Sequence, residues 1–300
     1  MRRVEAPLPL PRQQRAVTRG LYALALRRLL KNKLAVAGLA VILLLAGMAI
    51  FANQLSPYNP IKQNYDAISE GPSSKHWFGT DPLGRDTFSR LLFGARISLA
   101  VGIFTQVIVL SIGLPIGILA GYLGGRVDNL LMRFVDIIYA FPDLLFIILL
   151  RSLLGGGILN IFLAIGLVAW TNIARLVRGQ VLSVKQEDYV MAAHAVGAST
   201  PRMLLRHILP NVVSPLIVAV TFGIPRAIFV EAALSYIGIG VPPPTPSWGT
   251  MIQDGYTVIF VAPNLVLFPA IAIATVMLAF TFLGDGLRDA LDPRLSRGRT

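Results

Sequence analysis

Residues 97–120 read ISLAVGIFTQVIVLSIGLPIGILA, a stretch without a single charged side chain. An α-helix rises about 1.5 Å per residue, so this stretch is long enough to cross the roughly 30 Å hydrocarbon core of a bilayer. Three more uncharged runs, 34–52, 157–174 and 255–284, are near or above the roughly 18–20 residues that a membrane helix needs. These runs predict an integral membrane protein.

Two further apolar runs, 134–150 and 212–235, contain charged side chains. With them the count reaches six transmembrane helices, and the predicted fold class is an all-α integral membrane protein. The charged side chains within these two runs are Asp136, Asp143, Arg226 and Glu231.

The composition excludes an ordinary soluble enzyme. Hydrophobic residues make up 55% of the chain and charged residues 14%, against about 25% charged residues in soluble domains. The mean hydropathy is +0.67. The chain has no cysteine, which excludes disulfides, thiolate metal sites and a cysteine nucleophile.

Basic residues predict the orientation, because cytoplasmic loops of membrane proteins are enriched in Lys and Arg. Twenty of the 27 Lys and Arg residues fall in four segments, and only six fall in the segments that alternate with them. We therefore expect both termini in the cytoplasm, and the net charge of +12 indicates topology and attraction to anionic lipid, with no nucleic-acid partner. The basic segments are 1–33, 121–133, 175–211 and 285–300; the others are 53–96, 151–156 and 236–254.

The uncharged runs and the basic segments together divide the chain into five parts. The first uncharged run starts after residue 33 and has no nearby small-residue cleavage site, so we expect it to be retained as a membrane helix and not removed as a signal peptide. The parts are a basic cytoplasmic tail with an interfacial helix (1–33), a first transmembrane helix (34–52), an extracytoplasmic loop (53–96), a core (97–285) and a cytoplasmic tail (286–300).

Several kinds of chemistry have no motif in this sequence. It has no Gly-Lys dipeptide for a phosphate-binding loop, no Gly-x-Gly-x-x-Gly and no Gly-x-Ser-x-Gly, and its three histidines are scattered. We expect neither catalysis nor a cofactor on this chain. Any uphill transport must draw its energy from another subunit or from an ion gradient.

Residues 187–211, EDYVMAAHAVGASTPRMLLRHILPN, form the most informative cytoplasmic segment. Gly197 predicts a helix stop, and Thr200 with Pro201 predicts an N-cap and a new start. Pro210 is expected to end the second short helix just before the fifth span. The residues alone fit either an amphipathic surface connector or a lever whose small residues admit a partner protein.

The motif Ala192-Ala193, Gly197 and Ile208-Leu209-Pro210 resembles the EAA coupling loop of binding-protein-dependent ABC importer permeases, with Met191 in place of the usual glutamate. Other blocks are similar to the C-type subunit of the dipeptide, oligopeptide and nickel branch, and the resemblance covers nearly the whole chain. These blocks are residues 78–86, 94–99, 242–249 and 284–293.

The resemblance implies a type-1 ABC importer permease in a bacterial or archaeal cytoplasmic membrane. Its implied partners are a homologous second permease, two ATPases that bind ATP and Mg²⁺, and an extracytoplasmic binding protein. The implied cargo is a di- or oligopeptide, or alternatively nickel or another small solute. The implied ATPase-coupling residues within 187–211 are Glu187, Tyr189, Ala192, Ala193, Gly197, Arg202, Ile208 and Pro210.

Charged groups within spans are candidates for a translocation path. Asp143, Arg226 and Glu231 either line a polar path for a zwitterionic peptide or form pairs between helices. Asp136 and Asp143 are seven residues apart and should share a helix face with a kink at Pro142. Arg226 and Glu231, five residues apart, should not pair with each other.

Two other classes of protein remain as alternatives. An ion-coupled secondary transporter would show an internal inverted repeat, and none is visible. Such a transporter would also leave the 187–211 segment without a role. The missing nucleophile and metal motifs disfavour a membrane enzyme, and a stable complex that lacks any ATPase would favour a scaffold. Outside the spans, Asp81, Arg85 and Asp86 are expected to organise local turns, or else to face the binding protein.

Overall fold

The computed structural model describes the backbone of residues 17–292 and the side chains of residues 23–292. This part of the chain is helical and has no β-strand, only an isolated bridge between Thr80 and Asp86. The all-α prediction is confirmed. The basic tail before residue 17 and the last part of the predicted cytoplasmic tail, 293–300, lie outside the described residues.

The helices in chain order are α1 (Val17–Lys31), α2 (Lys33–Ile50), α3 (Ala52–Leu55), α4 (Thr87–Leu123), α5 (Gly125–Tyr139), α6 (Asp143–Leu154), α7 (Ile158–Lys185), α8 (Asp188–Ala195), α9 (Thr200–Arg202), α10 (Leu209–Tyr236), α11 (Trp248–Tyr256) and α12 (Asn264–Leu291). A π-helical turn, Met203–Ile208, joins α9 to α10.

Five helical stretches in the described part of the chain are long and apolar enough to cross a membrane: α2, α4, α7, α12 and the continuous stretch Thr200–Tyr236. The sixth predicted span, 134–150, is broken. Helices α5 and α6 meet at 87°, and six spans result only if this bent pair counts as one. The cause is Pro142, which lacks an amide hydrogen and disfavours α-helical geometry at Phe141.

The break at Pro142 corrects one sequence prediction. Asp136 lies near the end of α5, whereas Asp143 is the first residue of α6. The two carboxylates therefore do not share a helix face, because the kink expected at Pro142 is a change of direction between two separate helices.

Helices α4 and α7 pack parallel to each other through three glycines spaced four residues apart. A Cβ atom built on Gly117 would lie 2.6 Å from the carbonyl oxygen of Ala174. A Cβ on Gly113 would lie 2.7 Å from the carbonyl oxygen of Trp170, one turn earlier in α7, and a Cβ on Gly121 would lie 2.9 Å from that of Arg178, one turn later. Small residues at this spacing let two membrane helices approach backbone to backbone. This packing forms the centre of the bundle.

The helix directions place the connecting segments at two ends of the bundle. One end, called here the α11 end, holds residues 56–86, 155–157 and 237–263; the other, the α8 end, holds residues 124–125 and 186–208. Lys185 donates to the Gly121 and Tyr122 carbonyls at the α8 end. Arg151 donates to the carbonyls of Ile239 and Gly240 at the α11 end.

Two helices begin about two and a half to three turns away from the starts of the predicted spans. Helix α4 begins at Thr87, ahead of the predicted 97, because the Asp86 carboxylate caps it by accepting from the Ser89 amide at 2.8 Å. The last span begins at Asn264, after the predicted 255, since α11 extends to Tyr256 and is followed by a turn. Hydropathy alone does not show a cap or a turn.

Candidate functional site

The segment 187–211 forms a helix, a turn and a second helical element, as predicted. Helix α8 ends in a Schellman motif: the amide of Ala198 donates to Ala193 O, and the amide of Gly197 donates to His194 O. Gly197 has a φ of +79°, a left-handed conformation that glycine adopts without steric cost. A Cβ at Gly197 would meet nothing within 4 Å on this chain.

The second element differs from the prediction. Ser199, not Thr200, is the N-cap residue, and its side chain makes no capping hydrogen bond. Pro210 does not end the helix but lies in the first turn of α10. The π-helical turn brings this about: the Leu209 amide donates to Leu204 O, five residues back, and proline is well tolerated in the first turn that follows.

One face of the segment is fixed to the bundle. Val190, Met203 and Ile208 are buried, and they pack in a cluster with Val181 and Val184 of α7. Ile208, predicted to contact a partner, is fully buried and therefore serves to attach the segment to α7.

The opposite face is open. Val196 is 85% exposed and Leu205 is 68% exposed, so this face presents apolar side chains that the described part of the chain leaves uncovered. Burial against the chain raises the pKa of the Tyr189 hydroxyl, and the Glu187 carboxylate raises it further. The other predicted coupling residues on this exposed side are Glu187, Tyr189, Ala192, Gly197, Arg202 and Pro210, with Ala193 half-buried.

A second feature is a cavity of about 370 Å³ between α4, α6, α7 and α10. Asp143 and Arg226 lie in its wall and form an ion pair, with Arg226 Nη2 2.6 Å from Asp143 Oδ2. Their side chains are 39% and 60% exposed, so both remain accessible. Asn172 and Gln106 add polar groups to a lining that is otherwise mostly apolar.

Glu231 does not belong to this cavity. Its side chain is fully buried, and Oε1 accepts hydrogen bonds from the hydroxyls of Ser235 at 2.6 Å and Ser247 at 2.7 Å. Oε2 has no hydrogen-bond partner in the described part of the chain. Glu231 thus joins α10 to the start of α11. This position is apart from the Asp143–Arg226 cavity, where the sequence predicted a path. As predicted, Glu231 does not pair with Arg226.

Two ion pairs hold α5 against α7. Arg175 donates to Asp136 at 2.7 Å, and the Arg178 guanidinium binds both oxygens of Asp128 at 2.5 and 2.6 Å. For Asp143 the structure shows both a pair and a place in a cavity wall.

A cluster of buried charges occupies the α11 end. Arg85 and Arg90 share the carboxylates of Asp81 and Asp254, with Arg85–Asp254 at 2.8 Å and Arg90–Asp254 at 2.9 Å. Partial burial raises the pKa of Asp254, and its two arginine contacts oppose that rise. As predicted, Asp81 organises a local turn, because its Oδ1 accepts from the amides of Leu83 and Arg85 at 2.9 Å; Arg85 in addition reaches α11. Asp254 was missed, since a single acid on α11 gives no sequence signal of a partner so far away in the chain.

Among the side chains of residues 23–292, no three histidines or acids come together in a way that could hold a metal ion. The described part of the chain presents a set of membrane-length helices and a mostly apolar cavity, with an ion pair in its wall, between α4, α6, α7 and α10. It also presents an exposed segment attached to α7 and α10. These features define the class of protein: a polytopic membrane permease.

Comparison with known proteins identifies the family. Residues 113–297 match the family described as binding-protein-dependent transport system inner membrane component, and residues 20–72 match the N-terminal TM domain of oligopeptide transport permease C. The chain belongs to this family of ABC importer permeases.

Relatives and solved structures agree with that assignment. The oligopeptide transport system permease protein OppC of Bacillus subtilis (strain 168) is 46% identical over 91% of this chain and 90% of its own length. The dipeptide transport system permease protein DppC of the same organism is 46% identical over 91% of this chain and 86% of its own length. The inward-facing MetNI methionine ABC transporter shares the fold, with a TM-score of 0.56 and 20% identity over 68% of this chain and 97% of that chain.

Proposed function

We propose that this chain is one permease subunit of an ATP-driven importer that carries di- or oligopeptides across the cytoplasmic membrane of a bacterium or archaeon. The observation that carries the proposal is the connection between the exposed α8 segment and the cavity. Helices α7 and α10 flank the segment directly, and both also contribute to the wall of the cavity. Relatives with similar sequences are named for oligopeptide and dipeptide transport.

The energy comes from separate chains. Two cytoplasmic ATPases bind ATP and Mg²⁺ and contact the exposed face of α8 and the turn at Gly197. A homologous second permease forms the other half of the path, and an extracytoplasmic binding protein delivers the substrate. This chain holds no cofactor. The α8 end faces the cytoplasm, because the basic segments cluster there.

Attachment of the segment makes it a lever. Val190 and Ile208 pack against α7, and the π-helical turn continues into α10 without a break. A displacement of α8 by the ATPase is therefore transmitted to both helices, since close-packed contacts do not absorb large shifts. Nucleotide shifts the population towards the outward-open state only because it binds one state of the complex more tightly than the other.

The cavity supplies a path for a zwitterion. Arg226 and Asp143 present opposite charges to the same space, so a peptide carboxylate and a peptide ammonium group can each replace one member of the pair. A partly exposed ion pair contributes only about 0–1 kcal/mol. Its exchange for substrate contacts therefore costs little.

Reconstitution tests the proposal. We expect the chain to co-purify with an ATPase and a second permease, to hydrolyse no ATP by itself, and, in the full complex with its binding protein, to move peptides into vesicles only when ATP is present. Peptide uptake driven by a proton gradient without ATP would contradict the proposal and favour a secondary transporter. Uptake of nickel complexes without any peptide uptake would contradict the assigned cargo.

A further inference from the structure

A second cavity, with buried charges in its wall, lies at the α11 end, away from the Asp143–Arg226 cavity. It measures about 690 Å³, within the range of small-molecule sites. Its rim contains the exposed residues Gly155, Gly156 and Pro243, and its wall contains three buried arginines: Arg85, Arg90 and Arg151.

Two of these arginines are neutralised by acids. Arg85 and Arg90 together face the two carboxylates of Asp81 and Asp254 at distances of 2.6 to 3.3 Å. Two cations and two anions balance, so this group contributes no net charge to the cavity.

Arg151 has no such partner. The residue as a whole is only 7% exposed, and its guanidinium donates to the carbonyl oxygens of Ile239 at 3.2 Å, Gly240 at 3.1 Å and Gly155. Among the side chains of residues 23–292, no carboxylate forms an ion pair with it. Carbonyl groups orient the cation but do not neutralise it.

A buried guanidinium with surplus charge and remaining N–H donors favours a carboxylate ligand, because such pairs form charge-assisted, directional hydrogen bonds. The carbonyl contacts hold the guanidinium in place, so little side-chain entropy is lost when an anion binds. The rest of the wall includes Val241 and Pro242 to Pro244, which suits the apolar parts of a small ligand.

Resting on the proposed function, we infer that Arg151 forms a staging site at the α11 end that binds the C-terminal carboxylate of the peptide before it reaches the Asp143–Arg226 cavity. The ligand class is thus a peptide with a free carboxyl terminus. A C-terminal amide of the same peptide lacks the charge and should bind more weakly.

The test measures peptide binding to the assembled complex, held in nanodiscs without the binding protein. Saturation-transfer NMR compares trialanine with trialanine amide in the wild type and in Arg151→Gln. We expect the wild type to bind the free acid about ten-fold more tightly, and the variant to bind the two peptides within about two-fold of each other. Lys75→Gln removes an exposed charge at the same end and should leave the preference unchanged.

Arg151→Lys covers the case in which Arg151→Gln does not assemble, since it keeps the charge and should keep part of the preference. An unchanged preference in Arg151→Gln would overturn the inference, and so would a preference that is lost only in Arg226→Gln. The inference is also wrong if Arg151→Gln alters docking of the binding protein while the binding of both peptides is unchanged. ATP-driven peptide uptake, measured separately, decides the proposed function by itself.

Discussion

Gly197 joins two properties at one position: a left-handed backbone and an open surface. Valine there would carry about 1–3 kcal/mol of local backbone strain and would place a branched side chain where the ATPase is proposed to bind. We expect Gly197→Val to abolish ATP-driven peptide uptake in membrane vesicles while expression and assembly persist.

Gly124 offers a matched control for this substitution. It also has a positive φ, +66°, also has open space around its Cα, and lies at the α8 end outside the segment 187–211. Its ψ of −162° places it in a region that is essentially restricted to glycine, so Gly124→Val should carry at least as much backbone strain but keep uptake. Normal uptake in Gly197→Val, or equal losses in both variants, would rule out a special role for the turn.

The Asp143–Arg226 pair allows a second residue-scale test. If both side chains contact substrate, the reversed pair Asp143→Arg with Arg226→Asp should not restore the uptake lost in either single variant. The free energy of unfolding should change by only about 0–1 kcal/mol, because the pair is partly exposed. Uptake rates and thermal unfolding of the purified complex measure the two effects.

The Arg175–Asp136 pair serves as the control for that test. It has the same chemistry and comparable exposure, 37% and 51%, and it does not line the cavity. Reversal of this pair should restore any lost function. Full rescue by reversal of the Asp143–Arg226 pair would show that those charges act only on each other.

At this scale the sequence indicated residue types better than partners. Gly197 could be predicted because only a left-handed turn explains a glycine between two helical segments. The pairing of Asp143 with Arg226 could not, since the two residues are 83 positions apart and no local pattern connects them. Arg151 likewise gave no signal, because its carbonyl partners lie in a distant loop.

At the scale of elements, the tight contact of α4 with α7 makes a quantitative prediction. Gly117→Leu would place side-chain atoms against Ala174 O and Val177, so the helices must separate. We expect the free energy of unfolding to fall by about 1–3 kcal/mol or more, which would be measured as a lower unfolding temperature of the purified chain in detergent.

The control for this contact is Gly179→Leu on α7, where an added Cβ meets nothing within 4 Å. That substitution also introduces a better helix former and should not lower the unfolding temperature. Equal destabilisation by both variants would show that the glycine spacing does not determine the packing.

The existence of the helices followed from hydropathy, but their ends and bends did not. Pro142 suggested a kink, yet the full 87° turn between α5 and α6 depends on how α6 packs against α7. Pro210 suggested a helix end, but the π-helical turn before it accommodates the proline, and the helix continues into α10. Local rules state what a proline disfavours, whereas tertiary packing decides how the chain accommodates it.

At the scale of the whole molecule, the alternation of loops between the two ends agrees with the predicted order of spans, and the side assigned to each end can be tested. The chain has no cysteine, so single cysteines report cleanly. We expect Ser199→Cys to react with an impermeant maleimide only from the cytoplasm, and Ser73→Cys only from outside. Both positions are exposed. The opposite result for both would invert the topology.

In the proposed function, the bundle carries force from one end towards the other. Nucleotide chemistry on another chain would act on α8, the buried cluster around Ile208 would transmit the displacement, and α7 and α10 would change the shape of the cavity between them. In that proposal the permease supplies the path and the ATPase supplies the energy.

Cross-linking of the exposed turn tests this arrangement most directly. Val196→Cys, at an 85% exposed position, should form a bismaleimide cross-link to a cysteine-bearing ATPase in the assembled complex, with a yield that changes between the nucleotide-free and ATP-bound states. Val127→Cys, exposed on α5 at the α8 end, should form none. If Val196→Cys reacts only with solvent or lipid probes in every nucleotide state, the α8 segment is not the coupling element.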